Sequence, residues 1–142
     1  MRTAVGKGTA AEFIAKADVL ESGFDPETPS TATSIHDFTV AGLRVQVKRA
    51  ENNGTTLKVD IRRPSASCRY YRKEDVDVFA IVDPISRRVA YIFFDELRYG
   101  RRLTLFLTRE HTRAGLPTEY VPLYFDDYLG IDRVIGRGVN AA

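Results

Sequence analysis

The stretch His36-Asp37-Phe38-Thr39-Val40-Ala41-Gly42-Leu43-Arg44-Val45-Gln46-Val47-Lys48 alternates apolar and polar residues on either side of Ala41-Gly42. That is the pattern of two half-buried strands joined by a two-residue turn. Closing the turn sets Val40 against Leu43, and counting back sets Asp37 against Gln46. Side chains alternate along a strand, and opposed residues share a face. Asp37, Gln46 and Lys48 therefore gather on one face, and Phe38, Val40, Leu43, Val45 and Val47 form an apolar surface on the other. A slip of one residue would exchange the two faces. A carboxylate and an amide oxygen are hard ligands suited to Mg²⁺ or a similar ion. Such an ion holds a phosphate and lowers the pKa of a bound water, and a lysine beside it steadies the charge that develops. A carboxylate from a neighbouring helix would complete the shell, and Glu12 is the candidate. These are parts for metal-assisted phosphodiester hydrolysis. The same alternation also describes the solvent face of an ordinary edge hairpin.

Working outward, Thr9 and Glu12 have the spacing of a capping box, so a helix is expected to start at Gly8-Thr9 and to stop at Gly23. Phe13, Ile14, Ala17 and Leu20 fall on one face of it and are expected to point inward. Glu12 then has a competing role as a capping residue. Strands are expected at Ile35 to Val40, Leu43 to Ala50, Thr55 to Arg62, Val76 to Val82, Arg88 to Phe94 and Leu103 to Leu107, with a hairpin at Glu51-Asn52-Asn53-Gly54. Arg72 to Asp75 reads as one helical turn and Phe125 to Leu129 as a short helix. This gives an α/β or α+β sheet behind a leading helix.

A chain of 142 residues that is 44% hydrophobic and 28% charged can bury a core without a disulfide or a structural metal, which excludes disorder along its whole length. The lone Cys68 cannot form an internal bridge and fits a reducing compartment. No apolar run spans a membrane and the first residues lack a secretory pattern, so the expectation is a cytoplasmic protein with no membrane partner. The net charge of +2 is too small to indicate nucleic acid by itself. Its distribution says more: Arg62, Arg63, Arg69, Arg72 and Lys73 fall within twelve residues without an acid, around Tyr70 and Tyr71. Arginine forks suit phosphate oxygens, and interleaved aromatics favour a nucleic-acid surface. A solvated basic face is the plainer alternative. His36 and His111 have no companions at metal-ligand spacing, and Gly6-Lys7-Gly8-Thr9 lacks the spacing of a phosphate loop.

The order of Glu12 on a helix, Asp37 in His36-Asp37-Phe38 and Gln46-Val47-Lys48 on the next strand resembles the PD-(D/E)xK nuclease superfamily. The likeness is to its glutamine-containing branch, with a group I intron homing endonuclease and the archaeal Holliday junction resolvases as the nearest forms. Tyr71 to Ala80, followed by Val89 to Ile92, is similar to that branch's tyrosine, short helix and paired strands. The resemblance implies a restriction-endonuclease-like mixed β-sheet with a leading helix and short flanking helices. It implies a single domain over 1–142, with its core at about 5–95 and an extension at 96–142. It implies that Asp37, Glu12, Gln46 and the Val47 carbonyl hold Mg²⁺ or Mn²⁺, and that Lys48 is the catalytic lysine. His36 stands where the family has a proline, and Gln46 replaces an acid, which removes one negative charge from the metal site.

The expected activity is that of a metal-dependent DNA endonuclease of homing or restriction type, acting on double-stranded or branched DNA. Arg62, Arg63, Arg69, Tyr70, Tyr71, Arg72 and Lys73 would contact the DNA backbone. One active site per chain favours a homodimer or homotetramer. The alternatives are a junction resolvase, an RNA-directed nuclease and a catalytically inactive DNA-binding protein of the same fold.

Overall fold

In a computed structural model of the chain, residues 4–29, 35–62, 71–97, 102–110 and 115–140 are described. Strands β1 (Phe38–Val40) and β2 (Leu43–Arg49) form the expected hairpin. Ala41 and Gly42 both take positive φ, 47° and 80°, the two left-handed residues of a type I′ turn. The ladder pairs Val40 with Leu43, Thr39 with Arg44 and Phe38 with Val45, the register that the two-residue turn dictates. The first strand is shorter than the expected Ile35 to Val40, because residues 35–37 bend away before Phe38.

The far edge of β2 pairs in parallel with β5 (Val78–Val82), and β5 pairs with β6 (Val89–Phe93), giving a four-stranded sheet in the order β1-β2-β5-β6. An Arg44 fork fixes the parallel pairing. The Arg44 amide and Nε donate to Asp77 Oδ2 at 2.8 and 3.0 Å, and Nη2 donates to Oδ1 at 3.0 Å. After Arg49 the chain turns at the buried Ala50, whose N–H donates to the Val82 carbonyl at 2.9 Å, and leaves this sheet. It builds a second one from β3 (Glu51–Asn52), β4 (Thr56–Asp60), β7 (Arg102–Phe106) and β8 (Leu123–Tyr124), in that order. The Asn52-Asn53-Gly54 hairpin is present, but β4 pairs with the two-residue β3 and with β7 instead of folding back on β2. The single sheet expected from the sequence is therefore two, both of mixed pairing.

Three layers result. α1 (Ala4–Glu21) and α2 (Asp132–Asn140) cover one face of the first sheet, around Ala15, Val19, Phe38, Val45, Tyr91 and Val134. The second sheet covers the other face, around Leu57, Val59, Phe79, Ile81, Ile92 and Leu105. Every residue of β5 is buried, which explains its unbroken apolar run. The strand β8 and the helix α2 were not legible in the sequence. Phe125–Tyr128 is a 3-10 turn where a short helix was expected.

Helix α1 corrects two expectations. It starts at Ala4, so Thr9 and Glu12 lie in its interior and form no capping box. Its buried stripe is Ala11, Ala15 and Val19, whose small side chains let the helix lie close on the sheet, whereas Phe13 and Leu20 face outward. The stop at Gly23 is as expected: φ is +91°, Phe24 N–H reaches the Val19 carbonyl, and Gly23 N–H reaches that of Leu20.

The buried Tyr91 joins the helix to the sheet by donating to Asp18 Oδ2 at 2.6 Å. Burial, and then the Asp18 carboxylate, push its phenol pKa far up, so the hydroxyl stays a donor. Tyr91→Phe is expected to cost about 1.5–3 kcal/mol, the range for a hydrogen bond to a charged group. Urea unfolding at unchanged slope measures it, and an unmoved midpoint would remove the bond from the account of how α1 is held.

Candidate functional site

Along β2, residues 43, 45 and 47 direct their main-chain groups toward β1, and residues 44, 46 and 48 direct theirs toward β5. Side chains alternate in the same way. Val45 and Val47 enter the helix-covered core, and Gln46 and Lys48 project from the opposite face. There Gln46 lies beside Phe79 and Lys48 beside Ile81 in the parallel ladder, at the margin of the second core. β2 is thus an interior strand, and Asp37, Gln46 and Lys48 are all partly buried, not spread over the solvent face of an edge hairpin.

Asp37 sits where the β1 ladder ends. Its N–H donates to the Val45 carbonyl at 2.8 Å, and its Oδ2 accepts the Val47 N–H at 2.7 Å. The carboxylate takes the place of the main-chain acceptor that β1 no longer offers. One oxygen of Asp37 is committed to the fold, and Val47 turns its own carbonyl toward the same edge. Burial pushes the Asp37 carboxyl pKa up; the Val47 N–H opposes this, Glu12 adds to it, and Lys48 and Lys16 pull it down.

Lys48 is held from the second sheet. Its Nζ donates to the Arg62 carbonyl at 3.2 Å and lies 4.8 Å from the centre of the Tyr71 ring. Burial lowers its ammonium pKa, while Asp60 and Asp37 work the other way. Arg62 forks onto Asp60, with Nε and Nη2 at 3.1 and 2.8 Å from its two oxygens, and this holds the Asp60 carboxyl down at about 2. Beside these charges Gln46 Oε1 is buried without a hydrogen-bond partner. A buried carbonyl oxygen left in that state is costly and calls for an explanation.

The structure therefore brings Asp37, Gln46, the Val47 backbone and Lys48 to one end of β2. Glu12 comes from the opposite face, close enough to act on Asp37 by its charge, and its carboxylate is paired with Lys16 at 3.2 Å. Among the described residues no group of three or more His, Cys, Asp and Glu is placed to hold a metal. The donor set is two carboxylates supplemented by an amide and a backbone carbonyl. The unpartnered Gln46 oxygen is the observation that fits a cation, because it is a hard ligand already aimed where no donor meets it.

The basic cluster is less available than its sequence suggests. Arg63, Arg69 and Tyr70, with Cys68, lie outside the described residues. Tyr71, expected at the DNA surface, is only 7% exposed and packs edge-on to Phe79 beneath Lys48 in the second core. Arg62 is spent on Asp60, Arg72 lies 3.8 Å from Glu74 and 3.6 Å from Asp75, and Lys73 is 3.0 Å from Asp95. The run from 62 to 73 contains no acid, but Asp60, Glu74 and Asp75 flank it in the chain and the fold adds Asp95. Sequence reading missed Asp60, the Arg62 carbonyl and the Tyr71 ring as the surroundings of Lys48. The alternation of β4 marks Asp60 as outward-facing, but nothing local places it near a strand of the other sheet.

No protein-family model matches the chain, and no curated protein does so either. Among solved structures it is similar to a bacterial homing endonuclease, I-Ssp6803I, with a TM-score of 0.69 and 18% identity, over 99% of this chain and 96% of that one. The likeness shows a shared fold. Among the described residues no helix is long and apolar enough to cross a membrane.

An Asp whose pKa is raised by folding stabilises the protein fully only below its unfolded value, near 3.8, and that contribution is lost as pH rises through the folded value. Asp37→Asn keeps an oxygen for the Val47 N–H and removes the charge. In EDTA it is expected to raise Tm at pH 7, with the gain vanishing as pH falls below the unfolded value. A lower Tm at pH 7 would contradict the assigned cost of burying this charge.

Proposed function

We propose that the chain is a divalent-cation-dependent DNA endonuclease that hydrolyses phosphodiester bonds. The observation that carries this reading is the buried, unpartnered Gln46 oxygen on the same face and strand as Lys48, one residue before Val47, whose N–H holds the Asp37 carboxylate. The fold shared with a bacterial homing endonuclease supports it and favours a site-specific enzyme of homing or restriction type.

In this reading Asp37, Gln46 and the Val47 carbonyl would hold Mg²⁺ or Mn²⁺, with Glu12, paired with Lys16, as the further carboxylate that would join them. Such an ion, when bound, would supply Lewis acidity toward a phosphate oxygen and activation of the attacking water. The chain's own residues do the rest. Asp37, anchored by the Val47 N–H, gives a carboxylate of fixed orientation. Lys48 rests on a neutral carbonyl and an aromatic face, partners that an anionic phosphate oxygen displaces. From the Gln46 face its ammonium stabilises charge gathering on the phosphate. Gln46 contributes an oxygen without a charge, so the site depends on Glu12 for its second negative charge. The exposed Arg72 and Lys73, and the arginines at 63 and 69, supply backbone contacts that weaken as salt rises. One site per chain makes a dimer or tetramer the form that cuts both strands of a duplex.

The Glu12–Lys16 pair and the neutral Gln46 favour a second reading, a DNA-binding protein that retains the fold with a weakened site. One experiment separates the two. Linear duplex, four-way junction, single-stranded DNA and a matched RNA are incubated with native chain, Lys48→Ala and Gln46→Glu, in Mg²⁺ or EDTA. Native cleavage of DNA that needs Mg²⁺ and falls about 100-fold or more in Lys48→Ala, at unchanged circular dichroism, is the expected result. Preference for the junction identifies a resolvase, and preference for RNA moves the substrate class. Inactive native chain with active Gln46→Glu establishes the binding protein. Cleavage that persists in EDTA overturns the metal-dependent mechanism.

A further inference from the structure

Helix α1 has two apolar faces on opposite sides. Ala11, Ala15 and Val19 fill the core, and the bulkier Phe13 and Leu20 stand 66% and 55% exposed on the other side. A helix that turns its large apolar residues outward and its small ones inward is covered on both sides in its working state. The outer face runs Ala10, Phe13, Ala17, Leu20, with spacings of three, four and three residues, the seam of a helix pair. Beside it lies a groove of about 600 Å³ lined by Ala10, Phe13, Ile14 and Ala17, with Asp18, Glu21 and Arg87 at its rim.

We infer that this face pairs with the same face of a second copy of the chain, the two α1 helices running antiparallel about a two-fold axis near Ile14 and Ala15. The seam is self-complementary in that direction only. Phe13 of one copy meets Ala17 of the other, and Leu20 meets Ala10, so each bulky side chain opposes a small one in both halves of the contact. The flanking charges agree. Lys7 lies near the start of the helix and Glu21 at its end, on the same side of the seam, and antiparallel pairing sets each Lys7 against the Glu21 of the second copy. Parallel pairing would carry the Lys7 and Glu21 of the second copy to the far side of the seam, out of reach of those of the first. Neither residue carries a hydrogen bond or ion pair within the chain among the described residues, so both charges are available across the seam. The inference deepens the oligomer invoked for double-strand cutting by naming its surface. It rests on the helix alone and is read without DNA.

Sedimentation equilibrium of the native chain, Phe13→Glu, Leu20→Glu, Lys7→Glu and the double variant Lys7→Glu/Glu21→Lys tests it. Native chain is expected to self-associate in the micromolar range, on the order of 1–100 µM. Either glutamate in the seam is expected to raise the dissociation constant about 100-fold or more at unchanged helix content, since both positions are solvent-exposed in the single chain. Lys7→Glu is expected to raise it about tenfold and the double variant to restore it, because each contact then regains its opposite charges. A native chain that stays monomeric, or a stoichiometry that neither glutamate changes, overturns the proposal. Failure of the double variant to recover overturns the antiparallel register. These readouts do not depend on cleavage, so an inactive chain that pairs and an active chain that does not are distinguishable.

Discussion

Because side chains alternate along a strand, β2 has one register that works, and it is locked on both edges. On one side the Ala41-Gly42 turn accepts only the pairing of Val40 with Leu43. On the other, the Arg44–Asp77 fork ties the middle of the hairpin to the entrance of β5. Asp77 stays ionised in that pair: burial acts against its charge, but the Arg44 hydrogen bonds outweigh it and lower its pKa. With both edges fixed, Val45 and Val47 must face the helices, and Gln46 and Lys48 must face the second sheet. The polar side of β2 is therefore held on a strand that cannot slide, which is how a site gains the positional precision that a loop would not give.

That placement carries a cost. Asp37 and Lys48 are each pushed toward their neutral forms by burial, and Gln46 leaves an oxygen without a donor. A chain selected for stability alone would place apolar residues at the margin of a core already containing Phe79 and Ile81. Local rules broken together at one point, on an otherwise consistent hairpin, are what support the proposed site. By contrast Asp83 is buried and fully engaged: it accepts from Ser86, Asn52 and the Ile85 N–H, and its carboxyl pKa is lowered because these bonds overcome the effect of burial. It closes the β5–β6 turn and fastens it to β3. Asp83 has a donor for each oxygen, whereas the Gln46 oxygen at the end of β2 has none.

The leading helix shows why an apolar pattern can be read correctly as helical and still be assigned to the wrong side. Phe13, Ile14, Ala17 and Leu20 lie on one face, as their spacing says, and periodicity contains no information on which of two apolar faces meets the sheet. The sheet selects the face with the smaller side chains because α1 must pack closely on Phe38, Val45 and Val47, and Ala11 and Ala15 permit the approach. The bulkier face is left over for a partner.

What the sequence determined by itself is local. The Ala41-Gly42 turn, the faces of β1 and β2, the gathering of Asp37, Gln46 and Lys48, the glycine stop at Gly23 and the buried run of β5 all follow from interactions between residues near in the chain. Tertiary structure decided the rest. Whether Thr56–Asp60 folds back on β2 or starts a new sheet depends on the bend at Ala50, and that bend is set by a bond to Val82 more than thirty residues away. The setting of Lys48 was likewise beyond sequence reading, since Arg62, Tyr71 and Asp60 reach it only after the second sheet closes over the first. Among the described basic residues, Arg62 and Arg72 meet acids close to them in the chain, Asp60 and Asp75, and Lys73 meets Asp95 only through the fold. Periodicity fixes which way a side chain points, and only packing between distant segments fixes what it meets.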